Sequence, residues 1–296
     1  RHLRNLFRVI VACVAVSSSY GLAQHVGWDP FPWANRDVEE YRALPATYGN
    51  PNLAGHVLVV ALVLCAGLLA DAWQRKRWSE FLVYLVPGTL MAAHLGFTQM
   101  RAGLLALAMA IVFVTVTLEA LRRLQRPGHA VSRSWYGAWI GLSACAALLL
   151  ALTAAALAMA PLLGLDSSIQ LRLNGYAGAA ALFLDNPLSG VGPGNYAFHN
   201  IPYWTSLESL WYALENKRNF HVHNEWLEMA AECGIPGLAA FIGLFLFSIV
   251  TFFENPWLAA EKHWGLLMAI PAAMVAMAVD ACFGFNLHAP VSAGLF

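Results

Sequence analysis

Residues 220–237 read FHVHNEWLEMAAECGIPG. Two histidines, His221 and His223, and three carboxylates, Glu225, Glu228 and Glu232, stand where a long polar stretch runs into a strongly apolar helix. Lipid alone explains an apolar helix, but it does not explain this junction. The order His223-Asn224, nine residues, then Gly234 and Gly237 also gives the stretch a defined spacing.

Outward from this junction the composition is that of a membrane protein. Of 296 residues, 59% are hydrophobic and 11% charged, whereas soluble domains carry roughly a quarter charged residues. The apolar residues gather in runs near the ~20 residues a helix needs to cross the hydrocarbon core. Backbone satisfaction in lipid allows helices or closed barrels, and no ten-residue alternation points to a barrel. The fold class read from the residues is therefore an all-α polytopic membrane protein. The net charge is +0. No basic nucleic-acid patch, Walker motif or GxSxG elbow occurs. Cys13, Cys65, Cys145 and Cys282 lie inside apolar runs, Cys233 opens another, and no CxxC pair suggests a disulfide or thiolate metal site.

Seven spans are expected, at about residues 6–22, 52–72, 81–97, 102–121, 135–163, 226–253 and 265–285. The first has a basic flank and a short apolar core, as a secretory signal does, but no methionine opens the chain and an internal segment is the reading taken. The chain also stops at Phe296 as another apolar run could begin, so a fragment of a longer protein is expected. With the N-terminus cytoplasmic, Arg1, Arg4, Arg8, Arg75, Lys76, Arg77, Arg122, Arg123, Arg126, Arg133 and Lys262 fall inside. Only Arg36, Arg42, Arg101, Arg172, Lys217 and Arg218 fall outside, as the positive-inside rule requires. The organisation is then 1–163 with spans one to five, a loop over 164–225 away from the cytoplasm, and 226–296 with spans six and seven.

The loop carries its own structure. Leu173, Tyr176, Ala177, Ala180 and Leu184 form one helical stripe, stopped by Asp185-Asn186-Pro187. Gly190-Val191-Gly192-Pro193-Gly194-Asn195 reads as tight turns. It is not a dinucleotide loop, because the spacing is GxGxG and no strand precedes it. Leu207, Leu210, Trp211 and Leu214 make a second stripe suited to a helix lying on the membrane surface.

Three groups could carry chemistry. Arg101 sits between two spans, where an arginine is a functional candidate by default or a helix-start arginine snorkelling to headgroups. Arg172, unaided, reads as solvated or headgroup-paired. His221 and His223 alternate, so in an extended segment they point the same way. With His199 they could be imagined around zinc, but HxH spacing alone is a weak metal signal. A histidine beside carboxylates at a membrane boundary suits a general base, since imidazole titrates near neutrality.

These elements together resemble the O-antigen ligase and polymerase superfamily of bacterial membrane glycosyltransferases. His223-Asn224, nine residues, then Gly234-Ile235-Pro236-Gly237 is similar to the ligase signature. The run 185–196, DNPLSGVGPGNY, resembles the family's loop element, and 49–55, GNPNLAG, resembles the opening of an earlier helix. Thr98-Gln99-Met100-Arg101-Ala102-Gly103 resembles an element in which a Ser-Arg pair is usual, with Met100 in the serine's place.

The resemblance implies a roughly twelve-helix, GT-C-like fold, of which this chain would hold part, and an inverting glycosyltransferase that needs no metal or other cofactor. It places the protein in the bacterial inner membrane with its active site facing the periplasm. The donor would be a glycan on undecaprenyl diphosphate and the acceptor a sugar hydroxyl of lipid A–core, with membrane lipids as surroundings. His223 would be the base, and Arg172 and Arg101 would hold the diphosphate; His221, Asn224 and Asn195 would contact or support the substrate. An O-antigen polymerase or a protein O-oligosaccharyltransferase acting on pilin-like hydroxyls would share this mechanism. A small-solute transporter would instead line a path through the bilayer with charge, and few charges lie within these spans.

Overall fold

The computed structural model describes residues 2–31, 45–124, 139–148, 152, 167–215, 220–254, 264–284 and 287. Among them every regular element is helical and no strand occurs. The helices are α1 (His2–His25), α2 (Pro51–Gln74), α3 (Trp78–Thr98), α4 (Arg101–Leu124), α5 (Trp139–Leu148), α6 (Ser167–Asp185), the single turn α7 (Tyr196–His199), α8 (Ser206–Glu215), α9 (Glu225–Glu254) and α10 (Trp264–Asp280).

Five of these, α1, α2, α3, α4 and α9, are long and apolar enough to cross a membrane, and the protein is a polytopic membrane protein. The seventh expected span appears as α10, whose 17 residues reach roughly 25 Å at about 1.5 Å per residue. Of the fifth expected span, only α5 and residue 152 are described; the rest lies outside the described residues.

The described residues form two compact units. The first takes in Arg1–Leu142 and Ile249–Asp280, the second Ser143–Ser248 and Ala281–Leu287. In the first, α2 is the central helix, packed by α1, α3, α4 and α10. In the most apolar window of α2, 72% of residues are buried, against 22–33% in the other four spans; those four therefore present most of their apolar surface outward, as lipid requires. The start of α2 is written locally. Gly49 is left-handed at φ +70°, Asn50 accepts the Asn52 N–H at 2.8 Å, and Pro51 follows at the first helical position.

Between lipid-embedded helices there is little hydrophobic drive, and close van der Waals contact takes its place. The α2–α10 crossing shows this. A β-carbon on Gly67 would lie 2.5 Å from the Ala269 methyl, and one on Gly265 would lie 2.5 Å from that of Ala70. Reciprocal small residues thus bring the two backbones together. Polar pairs tie the helices further. His56 Nδ1 lies 2.6 Å from Asp280 Oδ2, both fully enclosed, joining α2 to α10. The His94 ring is 3.2 Å from Ser18 Oγ, joining α3 to α1.

At the end of this unit where α1 and α3 begin and α2 finishes, basic side chains converge on two acids. Asp71, with no exposed side-chain surface, receives Arg4 Nε at 2.9 Å and Arg75 Nη2 at 2.8 Å. Glu80 receives Arg75 at 2.8 Å and Arg8 at 3.2 Å. Three of the basic residues that orient the chain in sequence therefore also staple three helices.

Removing Asp71 strands these donors. Asp71→Ala is expected to cost about 1.5–3 kcal/mol, the range for hydrogen bonds to charged groups, seen as a lower thermal midpoint of the detergent-solubilised protein. Asp71→Asn, which keeps the shape, should lose less.

Candidate functional site

The second unit is organised by the first turns of α9. Asn224 accepts the Leu227 N–H on its side chain at 3.1 Å, and its carbonyl accepts Glu228 N–H at 2.9 Å. It is the helix N-cap, a position that favours asparagine because the first N–H groups have no helical partner. Glu225, Glu228 and Glu232 then follow along one face, each buried, at 2%, 2% and 6% exposure.

Each carboxylate grips a different piece of chain. Glu225 accepts the Leu287 N–H at 2.7 Å. Glu228 accepts the Val222 N–H at 2.8 Å on one oxygen and lies 2.7 Å from His221 Nδ1 with the other. Glu232 accepts Gly194 N–H at 2.8 Å and Tyr196 N–H at 2.9 Å. Beneath them Ala179, Leu182, Tyr196, Val222 and Ala231 pack as one core. Burial pushes the Tyr196 phenol up to about 12, opposed by the hydrogen bond to Asn200 and assisted by the charges of Glu208 and Glu228.

The nine-residue spacing has a backbone cause. At Gly234 the helix breaks, with φ +65° and ψ −164°, a conformation essentially reserved for glycine. An unbroken helix would give the Ala231 carbonyl to the Ile235 N–H and the Glu232 carbonyl to residue 236. Instead Ile235 N–H goes to the Pro187 carbonyl at 2.8 Å, and Pro236 has no N–H to give. The two released carbonyls accept Val191 N–H at 3.0 Å and Gly192 N–H at 2.8 Å. The 187–196 loop is thus docked onto the break. It approaches so closely that a β-carbon on Gly190 would lie 2.2 Å from the Glu232 carbonyl carbon.

The two histidines are not equivalent. His221 is one-third exposed, with its Nδ1 2.7 Å from the Glu228 carboxylate. His223 is left-handed at φ +59°, which costs a residue with a β-carbon about 1–2 kcal/mol. The regular alternation expected of an extended 221–223 segment is therefore broken at His223. Its carbonyl is held by the Tyr176 hydroxyl at 3.1 Å.

Arg172 is partly buried on α6, one turn before Tyr176. Burial raises the Tyr176 phenol, and the positive charge of Arg172 works against that rise. Tyr176, on the same face of α6 as Arg172, therefore also holds the His223 segment. Arg101 opens α4 in the first unit with an exposed side chain. It follows an elbow in which Gln99 is left-handed at φ +57° and Met100 is buried against Gly55, where a β-carbon would meet its sulfur at 2.0 Å. Met100, in the place of the expected serine, thus packs the elbow from which Arg101 emerges.

The other expected contacts have backbone tasks. Asn195 donates its amide to the Val191 carbonyl at 3.1 Å, closing the loop on itself, and its own carbonyl lies 3.1 Å from His199 Nδ1. The α6 stripe needs correction. The buried residues are Leu171, Gly175, Gly178, Ala179 and Leu182, while Leu173 and Leu184 are 37% and 73% exposed. Small residues let this face close on the core, and the larger leucines turn outward. On α8, Leu210 and Leu214 are exposed as an outer stripe, after a start at which Glu208 accepts the Thr205 N–H at 2.9 Å. Sequence reasoning missed Tyr176 and Glu228 as site residues. The available signals were the four-residue spacing from Arg172 and the 225/228/232 periodicity.

A family model described as O-antigen ligase matches residues 86–242, more than half the chain. The matched stretch takes in Arg101, Arg172, the docked loop, both histidines and the Gly234 break. No curated protein matches the chain.

Two substitutions check this reading of the backbone. Asn224→Ala should lose about 1 kcal/mol of stability as the cap is removed, with Asn224→Ser or Asn224→Asp close to wild type. Gly234→Ala should sharply reduce the amount of folded protein recovered by size-exclusion chromatography, because strain and a contact 2.7 Å from the Leu188 carbonyl coincide.

Proposed function

The chain belongs to the O-antigen ligase family, and from that premise we propose that it moves a glycan from undecaprenyl diphosphate to a sugar hydroxyl of lipid A–core. The reaction takes place on the periplasmic face of the bacterial inner membrane. His223 accepts the proton of the acceptor hydroxyl, whose oxygen attacks the anomeric carbon. The carbon–oxygen bond to phosphate breaks on the opposite side, inverting the centre, and its electron pair leaves with the diphosphate. Arg172 holds the growing negative charge with a planar, permanently charged guanidinium group. His221, Asn224 and Asn195 support the site, the two asparagines by shaping its backbone.

The observation that carries this reading is that Tyr176, one helical turn after Arg172 on α6, holds the His223 carbonyl. A cation and an imidazole at the mouth of an apolar helix suit a substrate whose charged diphosphate is tethered to a lipid. The strained backbone of His223 also fits a residue held for chemistry.

Glycan transfer to lipid A–core tests the proposal, with variants produced at wild-type level. His223→Ala is expected to lower transfer by about 10²–10⁴, the usual contribution of a positioned acid or base, with the lipid-linked donor accumulating. Arg172→Ala should show a comparable loss. Full transfer by His223→Ala would remove the base assignment.

A further inference from the structure

Tyr176 links the helix face that carries Arg172 to the His223 segment. It stands on α6 four residues after Arg172, on the same face of the helix, close enough for the arginine's charge to act on its phenol. Its hydroxyl lies 3.1 Å from the His223 carbonyl oxygen and 3.4 Å from that of Cys282. A phenol has one proton to donate, so the shorter contact takes the larger share. The carbonyl it holds belongs to the left-handed residue at φ +59°. Such a backbone persists only where neighbours impose it. Upstream, Glu228 holds the Val222 N–H; downstream, Asn224 caps α9. Tyr176 completes this bracket from a different helix.

We propose that Tyr176 is a positioning residue of the transfer reaction: its hydroxyl, donating to the His223 carbonyl, sets the spacing between the base and the Arg172 guanidinium. The inference rests on the functional reading above and extends it to a residue that touches no reacting atom. The acceptor's proton passes to His223 and the leaving electron pair goes to the diphosphate, while the Tyr176 proton stays on its oxygen throughout. Spacing matters because a misplacement of about 1 Å can cost about a hundredfold in rate. The ring of Tyr176 packs on the core of Ala179, Leu182, Tyr196, Val222 and Ala231. A phenylalanine there preserves the packing and removes only the donated hydrogen bond.

The test is Tyr176→Phe in the full chain, purified in detergent. Transfer from undecaprenyl-diphosphate-linked glycan to lipid A–core is measured per folded molecule. The expected result is a fall in kcat of about tenfold or more, since a single misplaced group can cost that much, with KM for donor and acceptor and the thermal midpoint little changed. A role in stability alone would lower the midpoint or the yield and leave kcat per folded molecule intact; that result overturns the proposal, as does an unchanged kcat. A fully active Tyr176→Phe beside an inactive His223→Ala sinks this inference and leaves the functional reading standing. A fully active His223→Ala sinks both.

Discussion

A carboxylate buried away from water must be met by hydrogen-bond donors, or its desolvation works against the fold. Glu225, Glu228 and Glu232 are nearly inaccessible, and each meets this demand with backbone N–H groups from a different segment: Leu287, Val222, and Gly194 with Tyr196. Loops have many N–H groups and few regular partners, so an acidic helix face is an efficient template for them. The macrodipole at the start of α9 favours the negative charges of Glu225 and Glu228 in its first turn. The second unit is a set of loops hung on one helical face.

The break at Gly234 belongs to the same construction. A straight helix would keep the Ala231 carbonyl for the Ile235 N–H, while Pro236 leaves the Glu232 carbonyl without a helical donor in any case. The break frees the first, and the loop supplies both with Val191 and Gly192 N–H groups as the Ile235 N–H passes to Pro187. At this break, carbonyls of the helix bond to the loop instead. Side-chain and backbone clamps therefore act at the same place, and the 187–196 loop has little freedom to slide.

The first unit is held by different forces, suited to its surroundings. Small residues at the α2–α10 crossing replace the hydrophobic drive that lipid removes. Enclosed pairs such as His56–Asp280 and the arginines around Asp71 add direction that apolar packing lacks. The histidine junction draws on the second unit's rigidity: His223 is held in a costly backbone by contacts on both sides and by Tyr176.

Much of this molecule was legible along the chain. The membrane class and most span positions follow from runs of apolar residues, which depend only on composition over some twenty positions. The caps at Asn50 and Asn224 and the turn at Gly49 follow from local chemistry, because their partners are within three or four residues. The family resemblance likewise rested on ordered local motifs, and the match over residues 86–242 agrees with it. What the glutamates hold could not be read this way. The partner of Glu232 is Gly194, 38 residues away, and that of Glu225 is Leu287, 62 away. Periodicity also misjudged α6, because hydropathy ranks leucine above glycine, while close packing chose Gly175 and Ala179 and turned Leu173 outward. Tyr176 gave no sign in sequence of reaching His223, 47 residues on. Such pairings depend on where distant segments are brought together in space, so tertiary structure alone decided them.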